Sequence, residues 1–405
     1  MTENQDLNIL MFGWEFPPHI SGGLGTACYG LTKALAQLGN IHTTLMLPKL
    51  YGDEDTRYVS LRCPAGHPAD CREHGTQSAY SSGMLQASRR FAISASTKLH
   101  DLPRPDVVHA HDWLTAPAAL VAQRVLDIPL VFHVHSTELD RSEGYPDQAI
   151  LAIESESLAH ADAILAVSDR TRRQLISRYS VDPDRIKVVY NGIDVDENAR
   201  QARPSVESPL ICFLGRVTYQ KGPAYFLRAA AIALNANPTL RFVMAGDGDL
   251  LPNMQTLAKE LGIAERVIFT GFLCAEEVEH LFQHASALVI PSVSEPFGIV
   301  ALEAVAAGVP VVISKNSGVT EIVSQMIVVE HTDVHSIAKA MLDLASDEVL
   351  AQRLRTGSRN EIAAVNWRRA ALCVQETYRS VGVTTCVSKG SDPHSSRFSA
   401  SNNCN

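Results

Sequence analysis

Short apolar runs alternate with longer amphipathic stretches along most of the chain. A short apolar run is typical of a buried strand, and apolar residues spaced three and four apart are typical of one face of a helix. Repeated strand–helix units of this kind predict an α/β protein with parallel sheets. The predicted strands are 8–14, 42–47, 106–110, 130–135, 163–167, 187–190, 210–214, 241–245, 267–269, 287–290 and 310–313, and the predicted helices include 26–37, 115–126, 147–160 and 169–179.

The strand–helix pattern divides into two halves. Residues 194–209 lose the apolar period and contain Pro204 and Pro209, so we interpret them as a linker. The halves are then 1–193 and 210–365, and each carries its own βα series. Two such halves predict two facing Rossmann-like domains with a ligand cleft between them, because open parallel sheets bind ligands beyond the carboxyl ends of their strands.

Composition and charge exclude several classes of protein. The 405 residues are 46% hydrophobic and 20% charged, which is ordinary for a globular chain, and the formal net charge of −9 argues against a nucleic-acid partner. No run reaches the length and apolar character of a membrane span, and no basic segment precedes the first apolar run, so neither membrane insertion nor a signal peptide is expected. The eight cysteines are scattered without a C-x-x-C pair, which favours a cytoplasmic location.

The segment S-E-P-F-G-I-V-A-L-E, Ser294–Glu303, is the sharpest candidate for ligand chemistry. It follows a predicted strand and leads into an apolar helix, whose first backbone N–H groups, near Gly298, Ile299 and Val300, would form an anion site. Glu303 is the one charged residue on that helix, and a ligand hydroxyl pair is a partner that would satisfy it. The alternative is that Glu303 faces water or pairs with a lysine.

Two further loops follow the first strand of each half. G-R-V-T-Y-Q-K-G, Gly215–Gly222, places Arg216 and Lys221 where they could bind a diphosphate, although a solvated loop is the alternative. S-G-G-L-G, Ser21–Gly25, would let the backbone approach a ligand at a helix N-terminus. It lacks the third glycine of a dinucleotide fingerprint, which disfavours a nicotinamide dehydrogenase.

Four histidines stand at the ends of two predicted strands: His109, His111, His133 and His135. This spacing invites a zinc interpretation, which is disfavoured because no third ligand or glutamate general base is evident from the sequence. A strand-end imidazole that hydrogen-bonds a polar ligand in the cleft is favoured, and a structural role for any one of them is about equally expected.

Together these motifs resemble those of retaining glycosyltransferases of family 4 with the GT-B fold, close to the bacterial and archaeal glycogen and starch synthases. The resemblance runs from about Asn8 to Arg379. It rests on G-W-E-F-P-P-H-I-S-G-G-L-G, H-A-H-D-W, V-F-H-V-H-S-T-E, V-V-Y-N-G-I-D, G-R-V-T-Y-Q-K-G and the paired glutamates Glu295 and Glu303, in this order. One departure is Ile20, where glycogen synthases carry a lysine.

The resemblance implies roles for individual residues. Glu303 would hold the donor ribose, Arg216 and Lys221 would neutralise the diphosphate, and Glu295 would contact the transferred sugar. His135 would lie near the reacting carbon, and Asp112 on the acceptor side. The remaining implied donor contacts are Gly22, Gly23, Phe297, Gly298, Ile299, Val300 and the turn 317–319. It also implies a helix at 366–382 that crosses back to the first domain. We expect a disordered tail at 383–405 from its composition.

The implied activity is transfer of a sugar, favouring glucose, from a nucleotide-diphosphate sugar to an α-glucan-type acceptor. Family enzymes of this fold use a same-face attack and need no bound metal or cofactor, so neither is expected here. The alternatives are a transferase that builds a cell-surface polysaccharide, a glycolipid or a small glycoside, and a non-catalytic nucleotide-sugar sensor. The basic helix 169–179 lacks a broad apolar face, so we expect it to be a solvated surface and not a membrane-docking element.

Overall fold

A computed structural model describes residues 6–64, 82–194 and 208–388. Within these residues the chain forms two parallel sheets, one in each half, with helices packed on the sheet faces. The predicted fold class is therefore confirmed.

The first sheet has seven strands in the order β3-β2-β1-β4-β5-β6-β7, and every neighbouring pair is parallel. The strands are β1 (Leu7–Phe12), β2 (Ile41–Met46), β3 (Ser60–Arg62), β4 (Val107–His111), β5 (Leu130–Val134), β6 (Ala163–Ala166) and β7 (Ile186–Val188). The helices of this half are α1 (Gly23–Gln37), α2 (Ser82–Ser96), α3 (Asp112–Leu126), α4 (Glu138–Arg141), α5 (Gln148–His160) and α6 (Asp169–Tyr179).

The second sheet has six strands in the order β10-β9-β8-β11-β12-β13, again all parallel. They are β8 (Leu210–Leu214), β9 (Arg241–Ala245), β10 (Val267–Gly271), β11 (Ala285–Ile290), β12 (Val311–Ser314) and β13 (Ile327–Val329). Its helices are α7 (Pro223–Ala236), α8 (Leu251–Glu260), α9 (Ala275–His284), α10 (Ile299–Ala306), α11 (Val334–Ser346) and α12 (Glu348–Ile362).

The central strands read as almost unbroken apolar runs because helices cover both faces of each sheet. All five residues of β5 are buried, as are all four of β12. In β4 and β5 the buried set includes the histidines, so these strands bring polar rings into an otherwise apolar layer. The burial of these rings therefore determines which chemistry the histidines can perform.

A last helix, α13 (Trp367–Ser388), returns to the first half and packs on α1. The Gln375 amide donates to the Asn40 side-chain oxygen over 2.7 Å, and Lys187 pairs with Glu376. The helix continues beyond the predicted end at 382, so the backbone of 383–388 is helical and the predicted tail begins too early. The rest of that predicted tail, and 195–207 of the predicted linker, lie outside the described residues.

No helix among the described residues has the length and apolar character needed to cross a bilayer.

Candidate active site between the two sheets

The loops after β8, β11 and β12 meet at the carboxyl edge of the second sheet. The backbone carbonyl of Gln220, in the loop after β8, accepts from the Val293 amide over 2.9 Å. Beyond β12, the amide of Gly318 donates to the Glu295 carbonyl over 2.9 Å. Three loops that are distant in sequence therefore share one hydrogen-bonded surface, at the sheet edge where ligands bind in such folds.

Glu295 is the charged centre of this surface. Its side chain is nearly buried, and its two carboxylate oxygens accept from Lys221 Nζ over 2.9 and 2.6 Å. The Ser292 hydroxyl donates to the same carboxylate over 3.0 Å. A buried carboxylate needs such partners, because an unpaired buried charge is strongly unfavourable. Arg216 lies half-buried on the same loop as Lys221, with its guanidinium 3.4 Å from the Gln220 side-chain oxygen.

The N-terminus of α10 points its free amides toward this charged loop. Gly298 precedes the helix with φ +107°, a left-handed conformation that favours glycine. The first N–H groups of the helix, beginning at Ile299, have no intrahelical acceptor. The Val319 amide donates to the Phe297 carbonyl over 2.8 Å and fixes the loop that presents them. The segment thus presents free helix amides of the kind that bind anions.

Two polar side chains at this edge have no partner in the described part of the chain. Burial raises the pKa of Glu303 on α10, and its carboxylate has no hydrogen bond or ion pair there. The Ser317 hydroxyl is buried and equally unpartnered. Buried polar groups are normally satisfied, so both sites are consistent with contacts to a polar ligand.

The glycine loop of the first domain lies beside α10. A Cβ on Gly23 would be 3.9 Å from the Ile299 side chain, and Gly22 precedes α1 in an extended conformation. Glu15 shapes the loop, since its carboxylate accepts from the Ser21 amide over 2.8 Å and from the Gly25 amide over 3.2 Å. The loop is therefore held next to the anion site by both domains.

Asp112 and His135 lie together at the carboxyl edge of the first sheet. The Asp112 carboxylate accepts from the His135 amide over 2.7 Å and from the Ser136 amide over 3.2 Å. Burial raises the pKa of Asp112 to about 6, and burial lowers that of His135 to about 3. Asp112 has φ +56°, a strained conformation for a residue other than glycine, and such strain clusters at functional sites.

His135 is the outermost of four neighbouring imidazoles. His111 Nδ1 lies 2.9 Å from His135 Nε2, and His109 Nδ1 lies 2.5 Å from the Tyr378 hydroxyl on α13. The His111 and His133 ring centroids are 5.3 Å apart. Burial lowers the pKa of every ring in the group, so all four are neutral near pH 7. The structure thus brings the histidines of both strand ends into one group.

Contacts across the cleft connect the two domains directly beside Glu295. The Ser294 hydroxyl donates to the Asp140 carboxylate over 2.6 Å, and Arg170 donates to the same hydroxyl over 2.9 Å. The Ser168 hydroxyl donates to the Pro296 carbonyl over 2.6 Å. The expectation that helix 169–179 is wholly solvated is wrong at its N-terminal end, because Arg170 lies in this interface.

Glu321 forms a second link between the domains. Its carboxylate accepts from the Asp169 and Arg170 amides, both over 2.8 Å, and so caps α6 from the other domain. The Tyr190 hydroxyl donates to it over 3.1 Å. Sequence reasoning missed Glu15, Asp140, Arg170 and Glu321 as functional candidates. Only Glu15 had a signal, its place in the first resemblance motif.

The chain matches known glycosyltransferase families and relatives over most of its length. The model of "Glycosyltransferase Family 4" matches residues 21–197, and that of "Glycosyl transferases group 1" matches residues 194–361. An uncharacterised glycosyltransferase of Methanocaldococcus jannaschii is 34% identical over 78% of this chain and 83% of its own. A glycogen synthase of Mycobacterium tuberculosis is 30% identical over 92% of this chain and 94% of its own. The chain belongs to glycosyltransferase family 4.

Other comparisons agree with this family assignment. A D-inositol 3-phosphate glycosyltransferase of Catenulispora acidiphila is 33% identical over 68% of this family 4 chain and 72% of its own. Among solved structures, the sucrose-phosphate synthase of Thermosynechococcus elongatus superposes with a TM-score of 0.77 at 21% identity, over 93% of this chain and all of that one. The protein is therefore a glycosyltransferase with the GT-B fold, in which two Rossmann-like domains face each other.

Proposed function

We propose that this glycosyltransferase moves a glucosyl group from a nucleotide-diphosphate glucose to an α-glucan-type acceptor, with retention of the α-anomer. The observation that carries the proposal is the assembly at the edge of the second sheet. There the Lys221–Glu295 pair, the N-terminus of α10 and the unpartnered Glu303 lie on interconnected loops.

Each part of that assembly matches one part of the donor. Glu303, half-buried and without a partner in the described residues, would accept hydrogen bonds from the ribose hydroxyls. Arg216, Lys221 and the amides of Gly298 and Ile299 would bind the diphosphate, with Phe297 and Val300 shaping the same segment and Gly22 and Gly23 closing over it. Glu295, released in part from Lys221, would accept from hydroxyls of the sugar.

The proposed chemistry relies on stabilising the leaving group. An acceptor hydroxyl attacks C1 of the sugar on the face from which the diphosphate departs, and its proton passes to the departing phosphate oxygen. The negative charge that grows on the diphosphate is stabilised by two cations and by the helix amides, which are preorganised before reaction. The neutral His135 would orient the sugar from the first domain, and Asp112 would hold the His135 backbone in place.

Under this proposal the diphosphate needs no metal ion or cofactor. Arg216 and Lys221 carry two positive charges, and the α10 N-terminus adds a partial one. This set of charges offsets the diphosphate as a magnesium ion does in other transferases. We also propose a cytoplasmic location, which the free thiols of Cys28, Cys63, Cys212, Cys274 and Cys373 support.

The glycogen synthase relative, which aligns over nearly its whole length, supports the proposed α-glucan acceptor. The inositol phosphate transferase relative favours a second candidate, transfer to a small phosphorylated polyol, but it aligns over less of the chain. A nucleotide-sugar sensor on this fold is disfavoured because the charged residues of the cleft are all present.

The test supplies radiolabelled ADP-, UDP- and GDP-glucose in turn, with malto-oligosaccharide, with inositol phosphate or with no acceptor. A ladder of longer glucans that α-glucosidase degrades would support the proposal. Transfer to inositol phosphate alone would overturn the glucan acceptor in favour of the second candidate. If calorimetry showed donor binding but no acceptor received the sugar, a non-catalytic nucleotide-sugar sensor would be the better interpretation.

A further inference from the structure

The histidine group beneath the cleft has a geometry that catalysis does not require. Strands β4 and β5 pair in parallel with His111 directly opposite His133, so the rings at positions 109, 111 and 133 stand on one face of the sheet. One ring nitrogen from each of the three histidines can be chosen so that all three lie within 4.8 Å of one another, and each residue is at most 1% exposed. We name His109, His111 and His133 the trihistidine site.

Four of the six ring nitrogens of this site are left without partners among the described residues. Among the described residues, His109 Nε2, His111 Nε2 and both nitrogens of His133 are buried and have no hydrogen bond. Leaving one buried polar group unsatisfied costs about 1–3 kcal/mol, and native proteins avoid it. Four such atoms in one small volume therefore need an explanation, and one ion that binds three of them supplies it.

The outer nitrogens of two rings are already held as metal-bound histidines usually are. A ligating histidine typically donates its other N–H to an oxygen or nitrogen acceptor, which fixes the tautomer and the ring orientation. His109 Nδ1 has the Tyr378 hydroxyl at 2.5 Å, and His111 Nδ1 has His135 Nε2 at 2.9 Å. With those nitrogens protonated, the Nε2 atoms of both rings carry free lone pairs, and both atoms are buried without a partner in the described part of the chain.

We propose that the trihistidine site binds one zinc ion with a structural role, and that a solvent molecule completes a tetrahedral set. Three imidazoles suit zinc and related transition metals but not magnesium or calcium, which prefer oxygen. Zinc–nitrogen bonds of about 2.0–2.1 Å place ligand nitrogens about 3.3 Å apart, so the rings must close by about 1.5 Å at most.

This ion has no part in donor binding. The charges of the diphosphate site come from the loops of the second domain, whereas the trihistidine site lies between the first sheet and α13. Its effect would be to hold β4 and β5 together and, through Tyr378, to fix α13 on the sheet. The proposal does not depend on the glycosyl-transfer reaction, so its tests measure metal content and stability.

The primary test measures metal in the tag-free full-length protein. The protein is produced in zinc-supplemented medium, dialysed against metal-free buffer and analysed by inductively coupled plasma mass spectrometry, with about one zinc per chain expected. Cobalt-grown protein should show the intense d–d absorption of tetrahedral Co(II). Less than about 0.1 metal per chain after both preparations would overturn the proposal even if no variant could be purified.

Variants then locate the ion. His133→Gln should reduce the zinc content at least tenfold and lower the melting temperature of the zinc-grown protein. Tyr378→Phe, which keeps the ring and removes the acceptor of His109, should weaken zinc affinity about 10–100-fold. The matched control is His280→Gln, because the exposed His280 and the half-buried His284 form an i,i+4 pair on α9 that could bind zinc weakly. Zinc retained by His133→Gln, or lost from His280→Gln instead, would overturn the assignment.

Discussion

At the scale of single residues, the decisive feature of the site is a buried carboxylate that forms an ion pair with one lysine. Glu295 is 5% exposed and has both oxygens within 2.9 Å of Lys221 Nζ. Such a pair is stable only while both partners are present, since removal of one leaves an uncompensated charge. A diphosphate that approaches Lys221 could accept a hydrogen bond from its ammonium group while the lysine stays paired with Glu295, because the ammonium group has three donors.

Replacement of that lysine tests its role in leaving-group stabilisation. Lys221→Ala should lower kcat by about 100-fold or more, the usual effect of removing one preorganised stabiliser of transition-state charge. Steady-state kinetics with the best donor measures it, and a melting curve establishes that the variant is folded. Lys339→Ala, on an exposed helical pair with Asp343, is the matched control and should leave kcat unchanged. A kcat within threefold of wild type for Lys221→Ala would contradict the proposed role of this lysine in stabilising the leaving diphosphate.

A second residue-scale prediction concerns the buried Glu154. Burial raises its pKa to about 7, although Arg141 lies 3.1 Å away and Tyr179 donates to it. A carboxyl whose pKa is higher in the folded state than in the unfolded state contributes stability at low pH. That contribution is lost as the pH rises from about 4.5 to about 7. Glu154→Gln removes this titration.

The melting temperatures of wild type and Glu154→Gln are compared between pH 4.5 and pH 8. The difference, variant minus wild type, should increase with pH across this range, whatever its value at pH 4.5. Glu156→Gln, an exposed neighbour on α5 that pairs with Arg124, should show no such trend. A pH-independent difference for Glu154→Gln would mean that burial does not raise its pKa.

At the scale of secondary-structure elements, the sequence predicted what its local pattern encodes. Every strand predicted from an apolar run overlaps a strand of the structure. The missed strands, β3 and β13, have three residues each and lie at sheet edges. β7 is as short and also lies at an edge, but it was predicted because its apolar run continues to Tyr190. The loops that follow strands were predicted because parallel topology brings strand ends together. The contacts of Asp140, Arg170 and Glu321 were not predicted, because a contact between domains does not change the sequence spacing around either partner.

The packing of α13 on α1 gives a prediction at this scale. A Cβ on Gly30 would be 2.2 Å from the Trp367 ring, which is mostly buried in the core of the first domain. Gly30→Ala should therefore lower the stability by about 1–3 kcal/mol, the usual effect of overpacking, despite the better helix propensity of alanine. Chemical denaturation measures it. The smaller ring in Gly30→Ala/Trp367→Leu should relieve the clash, so the double variant should be less destabilised than the two single changes added together. Additive effects would show that the two residues do not meet.

At the scale of the whole molecule, polar contacts between the two domains lie next to the proposed donor-binding loop. Ser294, which bonds Asp140 and Arg170 of the first domain, immediately precedes Glu295. Glu321 caps α6 across the same cleft. Val167 and Tyr190 of the first domain also pack on the apolar core of the second, and we expect the polar contacts to add to this packing in favour of a closed state. The donor loop and the domain interface should then respond to the same changes.

Glu321 gives the sharpest test of that coupling. Glu321→Ala removes two carboxylate hydrogen bonds to the α6 amides, each worth about 1.5–3 kcal/mol, and leaves each domain's own core untouched. We expect the open state to gain population, which would appear as a larger radius of gyration in small-angle X-ray scattering and a donor KM raised about tenfold. Glu330→Ala is the matched control, since Glu330 is a carboxylate of the second domain that pairs with Lys315 of the same domain. If Glu321→Ala and the control gave the same scattering curve and the same donor KM, closure of the cleft would have to rest on contacts other than the α6 cap.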